Sequence, residues 1–174
     1  ATEILVSAER PGKLITFAVS EGDWLKQNEL IAVVDTSAIQ LQQKQLYAQI
    51  QAILSRTQSI APQIAVFDRQ LDNLKREQKR VQALVADSAA TTQTLDEING
   101  QITVIEQQKE AQLIRLSSTN RSINQEVQPL RVQLELLKDQ VNRSIVSAPN
   151  DGRILQTYAE ASEITGAGKP LLKL

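Results

Sequence analysis

Apolar residues recur at two different spacings along this chain. In residues 1–35 and 145–174 they alternate with polar residues between prolines and glycines, which predicts short β-strands. In the region between, they step by alternating intervals of three and four residues, which predicts long amphipathic helices. The pattern therefore predicts an α+β chain in which helices separate two groups of strands.

The two strand-like ends share one pattern. Placed on each other without a gap at an offset of 140, Gly12 falls on Gly152 and Ile31 falls on Leu171. Neither end has enough strands to bury a face alone, so we expect the two to combine into one small β-sandwich with Trp24 packed at its edge. The predicted core is Leu14, Phe17, Val19, Leu25, Ile31, Val33, Ile154, Leu155, Ile164 and Leu171.

The middle of the chain predicts two helices, over residues 36–88 and 93–144, joined by a short connector at 89–92. Helices joined so closely are expected to lie antiparallel, and each would span roughly 75 Å. The first seam is Leu46, Ile50, Ile53, Thr57, Ile60, Ile64, Phe67, Leu71, Leu74, Gln78, Val81 and Val85. The second is Leu95, Ile98, Ile102, Ile105, Lys109, Gln112, Leu116, Thr119, Ile123, Val127, Leu130, Leu134, Leu137 and Val141.

Two prolines, Pro62 and Pro129, fall inside these predicted helices, where each removes a hydrogen bond and costs about 3 kcal/mol. The seam continues on both sides of each proline, which predicts kinks rather than helix ends. At the connector, we expect Asp87 or Ser88 to end the first helix and Thr92 or Thr94 to be the N-cap of the second.

Composition excludes several kinds of chemistry. The 174 residues contain no Cys, His or Met, so thiol nucleophiles, imidazole bases, zinc sites and soft copper sites are unavailable. A net charge of −1 argues against a nucleic-acid binder. The adjacent Asp96 and Glu97 are typical first-turn charges of a helix. We therefore predict no catalytic residue, no metal site and no cofactor; the sequence also has no membrane-length apolar run and no signal peptide.

Two short motifs flank the predicted helices. The first, in PGKLITFAVSEGDWLKQNEL, is carried by Val19, Glu21, Gly22, Asp23, Leu25, Lys26 and Leu30. The second, in SAPNDGRI, is carried by Ser147, Ala148, Pro149, Asp151, Gly152 and Ile154. On these residues the chain resembles the periplasmic adaptor proteins, also called membrane fusion proteins of the HlyD type. The resemblance implies a long antiparallel coiled-coil α-hairpin inserted between two halves of a lipoyl/biotinyl-like β-sandwich, residues 1–35 and 145–174.

The resemblance also implies a function. Such adaptors bridge an inner-membrane transporter, ABC or proton-driven, to a TolC-like outer-membrane channel in tripartite efflux or type I secretion. The chain would lie in the periplasm, anchored to the inner membrane through a segment absent from this sequence, and would form a hexameric ring in the assembled pump. A β-barrel and a membrane-proximal domain would be expected beyond the residues given. No enzymatic activity is expected.

The family often carries an Arg at the hairpin tip, a Leu four residues on, and a Ser seven residues beyond that. Arg80 and Leu84 match, and Thr91 stands in place of Ser with its hydroxyl kept. The resemblance thus implies that Arg80, Leu84 and Thr91 dock the channel. The residues themselves leave alternatives open: Arg80 lies in a charge run typical of a solvated helix face, and Leu84 could belong to the seam.

Other functions fit the pattern less well. A lipoyl or biotinyl carrier needs an attachment lysine between the half-motifs, but Asp35, Thr36 and Ser37 stand there and the next lysine is Lys44. An RNA-binding hairpin needs a strongly basic arm, whereas residues 37–143 carry 13 Lys and Arg against 11 Asp and Glu. A coiled-coil arm of a scaffold outside transport is the remaining alternative.

Overall fold

The computed structural model describes residues 3–174, a mixed structure of helices and antiparallel strands. The chain divides into a β unit, residues 3–50 and 129–174, and a helical unit, residues 51–128. The strands are β1 Leu5–Ser7, β2 Gly12–Phe17, β3 Trp24–Leu25, β4 Leu30–Val34, β5 Ile145–Ser147, β6 Gly152–Arg153, β7 Gln156–Thr157, β8 Ile164–Thr165 and β9 Pro170–Lys173. The helices are α1 Ser37–Leu54, α2 Ile60–Ala86 and α3 Thr92–Asn142.

Strands from the two ends of the chain pair with each other in the β unit. The three antiparallel sheets have the orders β1-β9-β7, β5-β4-β2-β8 and β3-β6, so each contains strands from both ends. Hydrogen bonds of one end are therefore completed by the other, as the shortage of strands in each end alone predicts.

The offset of 140 residues is reproduced in the backbone. The pair Leu5↔Lys173 of β1 and β9 recurs as Val33↔Ile145 of β4 and β5, with an irregularity at the same place in both ladders. Left-handed backbone recurs too, with φ of 67° at Asn28. Its counterpart Gly168 has a φ of 77°. The two ends are therefore related by an internal pseudo-two-fold, which confirms the sequence repeat.

Half of the predicted core of the β unit is fully buried: Leu14, Leu25, Ile31, Ile154 and Leu171. Phe17 and Val19 pack partly buried against this cluster. Leu155, Ile164 and Trp24 are corrections, because they are 54%, 73% and 66% exposed. Each is the direct neighbour of a buried residue, and side chains on successive strand residues point to opposite faces. The alternation of side chains between the two faces, and not their hydrophobicity alone, determines which of these residues are buried.

In the helical unit, α2 and α3 pack side by side and antiparallel. Lys109 Nζ lies 2.5 Å from Asp68 Oδ1, whereas Gln78, ten residues further along α2, donates to Asn99 at 2.6 Å. The apolar cluster between the helices is built from predicted seam residues, the buried ones being Leu71, Val81, Ile98 and Ile102. The three-four spacing was thus a correct guide to which helix faces meet.

The first predicted helix is not continuous, which corrects the expectation for residues 36–88. Helix α1 ends at Leu54 and α2 begins at Ile60, so Pro62 lies in the first turn of a new helix rather than at a kink. A proline in the first turn needs no N–H partner, but its ring would clash with the carbonyl of Gln58 in a continuous helix. The predicted seam residues Thr57 and Thr119 are exposed. Pro129, in contrast, lies inside α3, which continues on both sides.

Within residues 3–174, none of the helices combines the length and hydropathy that a membrane span requires.

Candidate functional site

The turn between α2 and α3 begins with a hydrogen-bonded helix end. The Ala89 N–H donates to the Leu84 carbonyl at 2.7 Å, and the Ser88 N–H donates to the Val85 carbonyl at 3.0 Å. Ser88 has a φ of 59°, and Asp87 is the C-cap. This is a Schellman arrangement with serine where glycine is usual. The expectation that Asp87 or Ser88 ends the helix is confirmed.

Helix α3 begins with a threonine cap, one residue earlier than expected. The Thr94 N–H donates to Thr91 Oγ1 at 3.3 Å, and the two hydroxyls lie 3.0 Å apart. Thr91 is therefore the N-cap, and the prediction of Thr92 or Thr94 is wrong because Thr92 is already helical. The Thr91 hydroxyl, which stands where the resemblance expects a serine, thus accepts a hydrogen bond from the backbone of the same chain.

The guanidinium of Arg80 is exposed and paired within its own helix. Its Nη2 donates to both carboxylate oxygens of Glu77, at 2.6 and 2.5 Å. This hydrogen bond, with the charge of Glu77, raises the pKa of Arg80. A partner that binds Arg80 through Nη2 must displace Glu77, a residue that the sequence did not single out.

Leu84 is free for an external contact. It is 40% exposed, whereas its neighbour Val85 packs against the cluster between α2 and α3. Of the two interpretations left open by the sequence, the seam residue is therefore Val85. Arg80 and Leu84 stand one helical turn apart on α2, and Thr91 is the last residue of the five-residue turn, directly before α3.

The two flanks of the α2–α3 pair differ. One flank is bridged between the helices by Asp68 with Lys109, by Lys75 with Glu106 at 3.6 Å, and by Gln78 with Asn99. The opposite flank holds a shallow, largely apolar groove lined by Leu74, Glu97, Gly100, Gln101, Val104 and Ile105. Heptad spacing places Glu77 and Leu84 on this groove flank, with Glu77 between the groove residue Leu74 and Leu84 along α2.

Acidic residues in the described part of the chain are not clustered. No group of three or more Asp and Glu side chains among residues 3–174 is arranged to hold a metal ion. Asp96 and Glu97 are exposed on α3, but the prediction that they are first-turn charges is wrong, because α3 begins at Thr92 and its first turn holds no acidic residue. Gln93 donates to Glu97 at 3.2 Å. The site is thus a surface of one cation, one exposed leucine and two capped helix ends, which suits contact with another protein.

No protein-family model and no curated protein matches the sequence. Solved structures do match, and the fold they share with this chain is that of the membrane fusion, or periplasmic adaptor, proteins.

Three of these structures show the extent of the likeness. The periplasmic adaptor protein EmrA aligns with 100% of this chain at 14% identity and a TM-score of 0.58. The soluble domain of LipC, a membrane fusion protein of a type I secretion system, aligns with 99% at 15% identity and a TM-score of 0.59. MacA from Actinobacillus actinomycetemcomitans aligns with 100% at 14% identity and a TM-score of 0.54.

The alignments cover different fractions of the three solved structures. It is 72% for EmrA, 99% for the LipC domain and 49% for MacA, so this chain spans about half of MacA. At these identities the likeness concerns the fold, and the resemblance read from the two half-motifs is confirmed at that level.

Proposed function

We propose that this chain is a periplasmic adaptor subunit. It would bridge an inner-membrane transporter, ABC or proton-driven, to a TolC-like outer-membrane channel in tripartite efflux or type I secretion. The observation that carries the proposal is the adaptor fold aligned over 99% or more of the chain with EmrA, LipC and MacA. The exposed turn of small residues between α2 and α3, with the exposed Arg80 and Leu84 shortly before it on α2, supports it.

The architecture belongs to the same proposal. Residues 1–35 and 145–174 would be the halves of a lipoyl-like domain, and α1 to α3 a coiled-coil hairpin inserted between them. The role is mechanical, without catalysis or cofactor. The subunit would act in the periplasm, held at the inner membrane, and six copies would form a ring in the assembled machine.

Docking would use the turn between α2 and α3. Arg80 offers five N–H donors, which suit the free carbonyls at the helix ends of a channel. Leu84 would bury apolar surface beside it. Thr91 would contribute chiefly by holding the start of α3, because its hydroxyl accepts the Thr94 N–H. Small residues at 88–90 would let a partner backbone approach closely.

The test uses the absence of cysteine from this sequence. A single cysteine at exposed Ala89 leaves the Thr91 cap intact, and the protein is expressed in its own host and treated with a bifunctional thiol cross-linker. We expect a cross-link to an outer-membrane channel that Arg80→Asp weakens at least tenfold. Arg131→Asp, an exposed arginine far from the turn, is the matched control.

A cross-link unaffected by Arg80→Asp would remove Arg80 from the docking surface. No channel cross-link from abundant, folded protein would contradict channel docking and favour a scaffold arm outside transport. A second control carries its single cysteine at Gln128, distant along α3, and any channel cross-link from it measures non-specific capture.

A further inference from the structure

The β unit contains a hollow whose wall is largely apolar. Its volume is about 400 Å³, which lies within the usual range of small-molecule sites. Ile4, Trp24, Leu155 and Leu174 form the apolar wall. Leu174 is buried and Ile4 is half-buried, whereas Trp24 and Leu155 are exposed although both side chains are large and apolar. The hollow thus offers apolar surface that the rest of the described chain does not cover.

An aromatic and a cationic side chain stand side by side at this hollow. Trp24 of β3 and Arg153 of β6 are direct cross-strand partners. Such partners project from the same face of a sheet, with their Cβ atoms about 5 Å apart. Both residues line the hollow, so an aromatic ring and a planar cation are available to one ligand at the same time.

The guanidinium of Arg153 is oriented but not neutralised. Its Nε donates to the Gly22 carbonyl at 2.9 Å, which orients the side chain. Within residues 3–174, its two Nη nitrogens have no hydrogen-bond acceptor, and no carboxylate lies within 4.0 Å of the group. Two N–H donors in a fixed plane match the two oxygens of a carboxylate.

The two carboxylates that line the hollow already have partners. Asp151 Oδ1 accepts the Gln27 N–H at 2.7 Å, and Glu3 Oε2 lies 2.5 Å from Lys173 Nζ. Asp151 keeps its charge, but its hydrogen bond belongs to the loop that it holds in place. The polar group that the hollow leaves for a ligand is therefore the cation of Arg153.

The internal repeat shows that the fold itself requires neither Trp24 nor Arg153. At the offset of 140, Ile164 stands in place of Trp24 and Lys13 in place of Arg153. These two residues form the equivalent pair between β8 and β2, so the same strand pairing forms with an aliphatic side chain and a lysine. The aromatic ring and the planar cation are therefore features of one half only, and a binding role accounts for them.

We propose that this hollow binds a small organic anion with an apolar body. The carboxylate of the anion pairs with Arg153, and its apolar body packs against Trp24, Ile4 and Leu155. The cation and the apolar wall together select this class of ligand over organic cations and over fully polar anions. The site goes beyond the proposed function, because channel docking neither requires nor supplies it.

The single tryptophan of the chain reports on this site directly. In isotope-labelled protein, NMR shows one indole N–H signal, which is followed while hydrocinnamate, a phenyl ring on a short carboxylate chain, is added. We expect a saturable shift with a dissociation constant on the order of 1 mM, as suits an exposed site and a ligand of this size. The neutral hydrocinnamamide and the cationic phenylpropylammonium should bind about tenfold or more weakly, because neither pairs with the Arg153 guanidinium as a carboxylate does.

Substitutions locate the binding. Arg153→Gln removes the cation and should weaken hydrocinnamate binding about tenfold or more. Lys13→Gln removes the equivalent cation of the other half, and as the matched control it should leave binding unchanged. Asp151→Asn keeps an oxygen for the Gln27 N–H but removes a negative charge from the lining, so hydrocinnamate should bind more tightly.

The absence of a saturable shift with hydrocinnamate would overturn the site. Equal binding of the acid and the amide would overturn its preference for an anion, and equal losses in Arg153→Gln and Lys13→Gln would show attraction by net charge alone. The comparison of the three ligands uses the unaltered chain, so it stays decisive even if a variant is unstable. None of these results affects the cross-link from Ala89→Cys to the channel, so the two proposals fail separately.

Discussion

The side chain of Asn120 in α3 satisfies both backbone polar groups of Gln58, in the break between α1 and α2. Asn120 Nδ2 donates to the Gln58 carbonyl at 2.9 Å, and the Gln58 N–H donates to Asn120 Oδ1 at 3.0 Å. Pro62 has no N–H to give that carbonyl, so the amide supplies what a continuous helix would have supplied. Arg56 adds an ion pair with Glu126 at 2.7 Å.

Removing this amide should destabilise the helical unit. Asn120→Ala leaves the carbonyl and N–H of Gln58 without protein partners, and loss of two hydrogen bonds costs about 1–3 kcal/mol. We expect a lower urea midpoint with an unchanged slope. Asn124→Ala, an exposed asparagine one turn along α3, is the matched control and should have almost no effect. Equal stability of the two variants would show that water replaces the amide.

The internal pseudo-two-fold supplies a second matched pair. A Cβ on Gly12 would lie 2.6 Å from Val34 Cγ1, in a strand buried on that side, whereas a Cβ on the equivalent Gly152 would meet Leu174 at an ordinary 3.6 Å. We expect Gly12→Ala to cost about 1–3 kcal/mol of the unfolding free energy and Gly152→Ala to be nearly neutral. Thermal melts of both variants decide this, and similar melting temperatures would contradict it.

Glu77 should restrain docking by occupying Arg80. Glu77→Gln removes the carboxylate that holds the guanidinium, so we expect more cross-linking of Ala89→Cys to the channel. The gain should be at most about fivefold, because exposed ion pairs are weak. Glu135→Gln, which breaks a similar exposed pair with Lys138, should leave cross-linking unchanged. Less cross-linking in Glu77→Gln would mean that the pair orients Arg80 productively.

The start of α1 should depend on pH. The Ser37 hydroxyl and N–H donate to Asp35 Oδ1 at 2.6 and 2.8 Å, and these bonds hold the pKa of Asp35 below its usual 3.8. A carboxyl with a lowered pKa stabilises the folded state above pH 3.8, and this stabilisation is lost as pH falls through the lowered value. The difference in melting temperature between wild type and Asp35→Asn should therefore shrink below pH 4. Ser37→Ala should raise the pKa of Asp35 in a carbon-detected titration; an unchanged pKa would contradict this cause.

Local pattern predicted most of the fold. Apolar spacing within short windows of sequence predicts the β-strands and the seam between α2 and α3. Comparing those windows at an offset of 140 predicts the repeat. The error at Leu155 and Ile164 was avoidable, since alternation from Ile154 already directs Leu155 outward. The break before Pro62 was not visible in the seam, which keeps its spacing through Thr57. It depends on Asn120, 62 residues away from Gln58.

The sequence predicts the exposure of Arg80 and Leu84 but not the hydrogen bonds around them. Helical spacing is enough to place Arg80 and Leu84 on an exposed flank. Which threonine caps α3 depends on a shift of one residue, and pattern does not resolve such shifts. The pairing of Arg80 with Glu77 is a rotamer choice of two exposed side chains, which sequence spacing permits but does not select.

The interleaving of β1–β4 with β5–β9 imposes a delay during synthesis. Strand β1 pairs with β9, so its edge stays unsatisfied until the ribosome has made about 165 further residues. At typical elongation rates this takes roughly 8 to 33 s. For that time the first four strands are half of a sheet with open edges, the state most prone to aggregation. Truncation near residue 170 should therefore produce inclusion bodies, whatever the quality of the helices.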